Sequence, residues 1–428
     1  GGSRWLLEQV PGLHVEGWQG ALLSEWRAEQ LHWQQDDLSV KLNTVHMQFR
    51  LNCVLRSALC IDQLSVQRLE LNLPDTEPAQ EPPQVIELPD LKLPGSLEVQ
   101  QLFIGELLLN GESLLNQARL NAHWAEHAIQ LAKLDVQYQE YRLQASGTVT
   151  ARGQWPLQLQ LEAHVPIPDA QALEIHAQLT GSVHKLMLQA NTQGYLVANL
   201  DGQLQPLAAD LPAQLSIQAA EFIATADLPE RLTLADLDIQ LHGDLDKGYQ
   251  LAGQAVLAKT PEQMRLNLSA RVDSAGALLE SLHLAASEEQ FVALQGSVDW
   301  HADLQAEAQL QWQSFPWYSL LAQEDIAVQL QHLSAQLNYN AGDYQGRLDS
   351  SLTGPAGDFT LSSAFSGDLQ QVHLNELLLE AGQGQLQGAA TLGFADGLDW
   401  LADIQVSQLN PAYWVAELPG ELAGRLHS

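Results

Sequence analysis

The residues Trp155 to Val165, WPLQLQLEAHV, carry an apolar side chain at every second position: Leu157, Leu159, Leu161, Ala163 and Val165. Between them stand Gln158, Gln160, Glu162 and His164. A period of two belongs to a β-strand, whose successive side chains point to opposite faces, so this strand has one apolar and one wet face. The pattern returns along the chain. KLMLQA carries Leu186, Leu188 and Ala190, and QMRLNLSARV carries Met264, Leu266, Leu268, Ala270 and Val272. DLQAEAQLQW carries Leu304, Ala306, Ala308, Leu310 and Trp312. AVQLQHLSAQLNY carries Val328 and Leu330, then Leu333, Ala335, Leu337 and Tyr339.

The alternation slips phase in places. LSVKLNTVHMQFRL runs Leu38, Val40, Leu42 and then Val45, Met47, Phe49, Leu51; residues 64–73 run Leu64, Val66 and then Leu69, Leu71, Leu73. A slip inside strand text predicts a bulge or short turn. A Leu-x-Gly signature recurs at uneven intervals, as at Leu179–Gly181, Leu251–Gly253, Leu294–Gly296 and Leu386–Gly388, and predicts bends or close backbone approaches rather than a solenoid of fixed period. Helical text is scarce: SRWLLEQV and PWYSLLAQ each predict a short helix. Residues 74–94 hold six prolines and five acids against one lysine and read as a solvated loop or linker. The expected organisation is therefore an N-terminal β segment over 1–73, the loop over 74–94, and continuous strand text over 95–428.

Antiparallel sheets with one buried face read this way. The strands suit two or three closed sandwiches or a filled β-helix. They suit equally one long sheet, which would curl to turn its apolar face inward. The absence of a domain-sized break after residue 95 favours the long sheet, and the fold class expected is all-β.

Neutral Gln and Asn fill much of the wet face, and only 17% of the 428 residues are charged. The formal net charge is -33, from 52 acids against 19 bases. Such a surface repels phosphates, which argues against nucleic acid as a partner, and it gives no general attraction to anionic lipid headgroups. No window approaches 18 uncharged apolar residues, the length a spanning helix needs. The opening GGSRWLLEQV suggests a segment of a longer protein whose targeting or anchoring element is absent.

Motifs for chemistry are weak. HWAEH, His123 to His127, fits the letter of a zinc motif that requires a helix, but it lies between two strand patterns and reads as a hairpin turn. Asp236, Asp238, Asp244 and Asp246 lack the order of a calcium loop and read as acids on a strand's wet face. No nucleophile elbow, phosphate loop or Cys-x-x-Cys is present. No catalytic residue, metal ligand or cofactor is expected, and the chain does not read as an enzyme. Six residues separate Cys53 from Cys60, a spacing that suits either a bridge closing a tight loop or two free thiols. Trp155, Trp300 and Trp312 begin or end alternating runs and suit either the edges of a trough or a core.

The stretches PGLHVEGWQGALLSEWRAEQLHWQQDDLSVKL and CVLRSALCIDQLSVQRLELNL resemble the start of the TamB family, in the AsmA-like superfamily of Gram-negative envelope proteins. The resemblance rests on Val10-Pro11-Gly12, the Gly17-Trp18 turn, the Cys53/Cys60 pair and the Pro-rich acidic insertion that follows. LQASGTVTARGQWPLQLQLEAHV is similar to the family's strand cassette.

The resemblance implies an elongated, taco-shaped antiparallel-rich β-sheet in the periplasm, whose hydrophobic groove conducts phospholipids between inner and outer membranes. It implies a disulfide between Cys53 and Cys60. It also implies an inner-membrane anchor at the N-terminus and the outer-membrane barrel TamA as a partner engaged through a C-terminal region, both outside this chain. The groove lining expected from the alternation is Leu38, Val40, Leu42, Met47, Phe49, Leu157, Leu159, Leu161, Leu186, Leu188, Leu266, Leu268, Leu304, Leu310 and Leu337. A rival reading is a scaffold or chaperone that adds strands from outer-membrane protein clients to its sheet edges. A third, an extended β enzyme acting on envelope polysaccharide, needs a surface acid cluster that the sequence does not single out.

Overall fold

The computed structural model describes residues 11–35, 38–73, 88–225, 227–321, 326–394 and 399–427. The SRWLLEQV segment and residues 74–87 of the Pro-rich stretch lie outside them. The chain divides into two compact units, residues 1–215 and 216–428. Each is built almost entirely of β-strands in a curled, unclosed sheet.

The first unit contains β1 (Leu13–Glu16), β2 (Gln19–Gly20), β3 (Glu25–Gln35), β4 (Leu38–Phe49), β5 (Ala58–Asn72), β6 (Ser96–Leu109) and β7 (Glu112–Leu115). It continues through β8 (Gln117–Ala125), β9 (Ala128–Tyr138), β10 (Tyr141–Thr150), β11 (Pro156–Val165), β12 (Leu173–Ser182), β13 (Lys185–Gly194) and β14 (Ala198–Leu204). From β8 to β14 each strand pairs antiparallel with the next. β15 (Ala213–Phe222) straddles the boundary between the units.

Among the described residues of the first unit, β5 and β6 depart from the antiparallel order and pair in parallel from Ala58↔Ser96 to Leu71↔Leu109. A parallel pair needs a connection that returns along the full strand length. The Pro-rich stretch is that crossover. Its described part is tied down: Leu91 N donates to Ala151 O at 2.9 Å, Leu93 N to Glu126 O at 3.0 Å, and Trp155 Nε1 to Pro89 O at 3.0 Å.

The phase slip of β4 is centred on Thr44, whose φ of 50° is left-handed. Ala28↔Val45 and Gln30↔Asn43 flank it on one side, and Val45↔Val66 and Asn43↔Arg68 on the other. The ladder of β5 with β6 keeps its register but skips one pair at the same level, between Val66↔Ile104 and Arg68↔Glu106, where the apolar phase of both strands changes. The slips line up as a crease across the strands. Trp26, Ala28, Val45 and Val66 form a buried cluster there, with Leu31, Leu42, Met47 and Leu69 packed against it from both sides of the crease.

The second unit contains β16 (Leu234–Asp244), β17 (Gly248–Leu257), β18 (Met264–Val272), β19 (Gly276–Ala285), β20 (Phe291–Asp299), β21 (Gln305–Gln313) and α1 (Trp317–Leu321), the short helix expected from PWYSLLAQ. It continues through β22 (Gln329–Asn340), β23 (Asp343–Gly354), β24 (Gly357–Gly367), β25 (Gln371–Ala381), β26 (Gly384–Gly393), β27 (Asp399–Leu409) and β28 (Leu422–His427). From β16 to β28 every consecutive pair is antiparallel.

What core the second unit has gathers at one rim. Phe315, beside α1, packs with Leu257 and Met264, and Trp312, Trp317 and Leu320 close around them. Further along, Tyr413 and Trp414 cover Phe359, Ala381 and Leu409. The hairpin reading of HWAEH holds: β8 turns at Glu126, φ 49°, into β9.

Candidate functional site

Register identifies the faces without appeal to hydropathy, because residues directly opposite each other in a ladder share a face. In the first unit one row reads Leu131, Gly147, Leu159, Leu179, Leu188, Gly202 across six strands. The next reads Ile129, Val149, Leu157, Gly181, Leu186, Leu204, and a third reads Leu134, Ala145, Leu161, Ala177, Ala190, Leu200. The opposite face carries Ser146, Gln160, Gln178, Gln189 and Asp201.

The second unit repeats the arrangement. Ile239, Gly253, Leu268, Leu282, Leu294, Leu310, Ala335 and Leu348 form one row across eight strands. Leu266 stands in a row with Ala255, Leu284, Val292, Trp312 and Leu333. Leu337 lies in the row of Leu279, Gly296 and Ala308. Leu304 sits just before β21 and is 46% exposed, outside these rows. Leu42, Met47 and Phe49 pack on the crease cluster, and Leu38 and Val40 extend the face along β4 towards the other end of the strand.

None of these row leucines is sealed. Leu157, Leu159, Leu161, Leu186, Leu188, Leu266, Leu268 and Leu310 are half-buried, while Gln158, Gln160, Gln189, Asn267 and Gln309 are exposed. The largest fully buried side chains are Met264, Pro316 and Cys60, which belong to loops and strand ends. A sandwich of two closed sheets would bury the leucines instead. Removing a leucine side chain from water is worth about 1.5–3 kcal/mol. A half-buried one therefore leaves on the order of 1 kcal/mol unrealised, repeated along each row. An acyl chain gains about 0.8 kcal/mol for each methylene it buries, so such a face suits an apolar ligand of extended shape.

The Leu-x-Gly signature now has a structural meaning. Leu and Gly two apart share a face, so the glycines interrupt the apolar rows. At Gly388, φ 159°, an added Cβ would stand 2.1 Å from Asp403 O, and at Gly147, φ 139°, 2.1 Å from Gln158 O. The neighbouring strand comes too close at these points for any side chain.

The polar face holds the charged groups. Asp135 is buried and accepts from Arg142 Nη2 at 2.6 Å, Arg142 Nε at 3.1 Å and Gln144 Nε2 at 3.0 Å. The Arg142 guanidinium foremost, with Gln144 and Lys133, holds the Asp135 carboxyl below its ordinary range against the opposing effect of burial. A cavity of about 650 Å³ on the second unit is lined by Arg347, Asp349, Glu376, Gln387, Asp403 and Arg425. Its lining is mainly glutamines and ion-paired side chains, bordered by Leu377, Leu378 and Gly388, and its polar character differs from that of the leucine rows.

Cys53 and Cys60 are joined by a disulfide. His127 Nδ1 lies 3.0 Å from Leu91 O, so this ring of the HWAEH hairpin is engaged by the crossover. Among the described residues no group of three or more His, Cys, Asp or Glu is placed to hold a metal ion. The tryptophans divide by role. Trp155 and Trp300 stand at strand ends and donate to loop carbonyls of Pro89 and Ser274, whereas Trp312 packs edge-on to Phe315 at 5.2 Å. The alternation gave no sign of the rim caps at Phe315 and Trp414 or of the buried Asp135.

A family model described as TamB, N-terminal domain, matches residues 2–85, 74–317 and 302–428. The chain belongs to that family. No solved structure matches it. The family match spans both units and includes the crease, the disulfide loop and the leucine rows alike. No helix among the described residues is long and apolar enough to cross a membrane.

Proposed function

We propose that this chain is part of a periplasmic, bridge-like lipid transport protein that conducts phospholipid acyl chains along a hydrophobic β-groove between inner and outer membranes. The observation that carries the reading is the unsealed apolar face: rows such as Leu131–Leu159–Leu179–Leu188 run across consecutive strands half-exposed, while the opposite face is glutamine-rich. Acyl chains lie in the leucine trough and headgroups stay in water. The role is one of binding and guiding, without bond-making. Membership of the TamB family supports it, and by that kinship the inner membrane and the outer-membrane barrel TamA are the partners at either end.

Photocrosslinkers at Leu159 and Leu188 are expected to capture phospholipid, and crosslinkers at Gln158 and Gln189 to capture none. Equal labelling of the two faces would defeat the reading. Capture of unfolded outer-membrane protein in place of lipid would favour a scaffold that adds client strands.

A further inference from the structure

One feature of the first unit belongs neither to the leucine rows nor to the polar face. Between β4 and β5 the chain makes a 3-10 turn, Leu51–Arg56, stapled to the strand behind it by the Cys53–Cys60 disulfide. The turn has no buried residue. Leu55 is 92% exposed, Val54 60%, Leu51 52%, and Leu59 at the foot of β5 45%. The neighbouring turn between β2 and β3 adds Leu23, 67% exposed. The two turns lie side by side, since Phe49 N donates to Ser24 O at 2.8 Å.

Five large apolar side chains thus project from one end of three strands. They stand at a tip where strands end, around a turn that buries none of its own residues, and outside the leucine rows. The tip is held open by covalent and hydrogen-bond ties. The left-handed Ser57, φ 55°, closes the turn, its N–H meeting Val54 O at 3.0 Å, and Arg50 N donates to Cys60 O at 2.9 Å.

The turn's own charge runs against that of the chain. The whole sequence carries 52 acids and 19 bases, yet the stretch Arg50–Ser57 holds two arginines and no acid. Arg50 is engaged by Asp62, which with Glu98 stands behind the tip on the strands. Arg56 is exposed and forms no ion pair among the described residues. Glu25, across from the tip on β3, is committed to Arg27 and His46. Leucines projecting past an arginine base match a bilayer interface, with the apolar tip among the acyl chains and the guanidinium at the phosphate level.

We infer that the disulfide-stapled turn Leu51–Arg56, together with Leu23, is a membrane-surface contact that inserts into an anionic phospholipid bilayer. The inference stands apart from the trough reading, because its residues do not belong to the rows. It sets the edge of the first unit against a lipid surface in spite of the chain's net charge of -33.

The test is flotation of the chain with vesicles of phosphatidylethanolamine and phosphatidylglycerol. The chain is expected to float with them, and Leu55→Asp to lower the bound fraction about tenfold. Arg56→Glu should weaken binding most at low salt. Leu369→Asp, at a residue 80% exposed in the second unit, should change nothing. Failure of the chain to bind vesicles, or an equal loss in Leu369→Asp and Leu55→Asp, would overturn the inference. Because Leu55 is exposed, its substitution should not unfold the sheet; as an independent readout, the fluorescence of Leu55→Trp minus that of the unaltered chain, which has eleven tryptophans of its own, should shift to the blue with vesicles and be quenched by brominated acyl chains, and an unshifted difference spectrum would also overturn it. Lipid extracted from purified Leu55→Asp should equal that from the unaltered chain. Leu188→Asp should do the reverse, losing extracted lipid while keeping flotation, so that the trough and the tip fail separately.

Discussion

Thr44 occupies a backbone conformation that ordinarily favours glycine, and it does so inside a strand. Its side chain is exposed, so packing does not hold it there. Thr44→Gly is expected to be neutral or to stabilise by up to about 1 kcal/mol, and Thr44→Val to destabilise, both read from denaturant midpoints. Trp26 poses a related problem: its indole N–H is buried without a partner, while its ring stacks on Trp18 at 4.6 Å. Trp26→Phe removes an unsatisfied donor along with some area, and should cost far less than the several kcal/mol typical of a buried aromatic truncation.

Asp135 sets a pH dependence. Its folded pKa lies below the ordinary 3.8, so it contributes stability that is fully present above that value and is lost as pH falls through the depressed one. Asp135→Asn should therefore destabilise at neutral pH and flatten the acid limb of a stability–pH curve measured by urea unfolding. Arg142→Leu should act in the same direction.

At the scale of elements, the slips and glycines shape the sheet. A crease keeps Leu42 and Val45 on one face although their spacing would place them on opposite ones. This much was legible: the written slip from Leu42 to Val45, and from Val66 to Leu69, marked the crease, and the two-residue period marked nearly every strand. Other elements were not legible. The parallel pairing of β5 with β6 leaves no trace in alternation, because a one-sided strand reads the same in either direction, and a proline-rich stretch looks alike as linker or crossover. The rim caps are a few aromatic residues whose role depends on strands brought to them by pairing. The glycines read as bends or close backbone approaches, and the two-residue period already puts Leu and Gly on one face, but which neighbouring strand crowds each glycine follows only from register. Gly388→Val would force a side chain into Asp403 O, and a loss of about 1–3 kcal/mol is expected in thermal or chemical unfolding, against little change for Gly420→Val, where nothing lies nearby.

For the molecule as a whole, the leucines expected to line a trough can be placed by register. Leu159 and Leu188 share one row, and Leu268 and Leu310 share another, because a period of two and a ladder of direct opposites are the same geometry seen in one and two dimensions. Leu304 shows the limit: alternation does not say where a strand begins. A face left half in water should take up a hydrophobic dye in the native state. The folded chain is expected to enhance 1-anilinonaphthalene-8-sulfonate fluorescence, and Leu188→Asp with Leu268→Asp to diminish it while circular dichroism keeps the β spectrum. Added phospholipid should compete with the dye.

The crossover between β5 and β6 bears on how the sheet comes into being. From β8 to β14 and from β16 to β28, each strand finds its partner in the segment made just before it, so pairing can advance like a zipper with short loops to close. β6 must instead search back past the Pro-rich stretch for β5 and dock in the same direction, a closure of longer range that cannot begin until β6 has been made. Nascent chains halted before residue 96 should already protect the amides of β3, β4 and β5 against exchange only in part, with full protection arriving once β6 emerges: the joint is the point at which synthesis and assembly fall out of step.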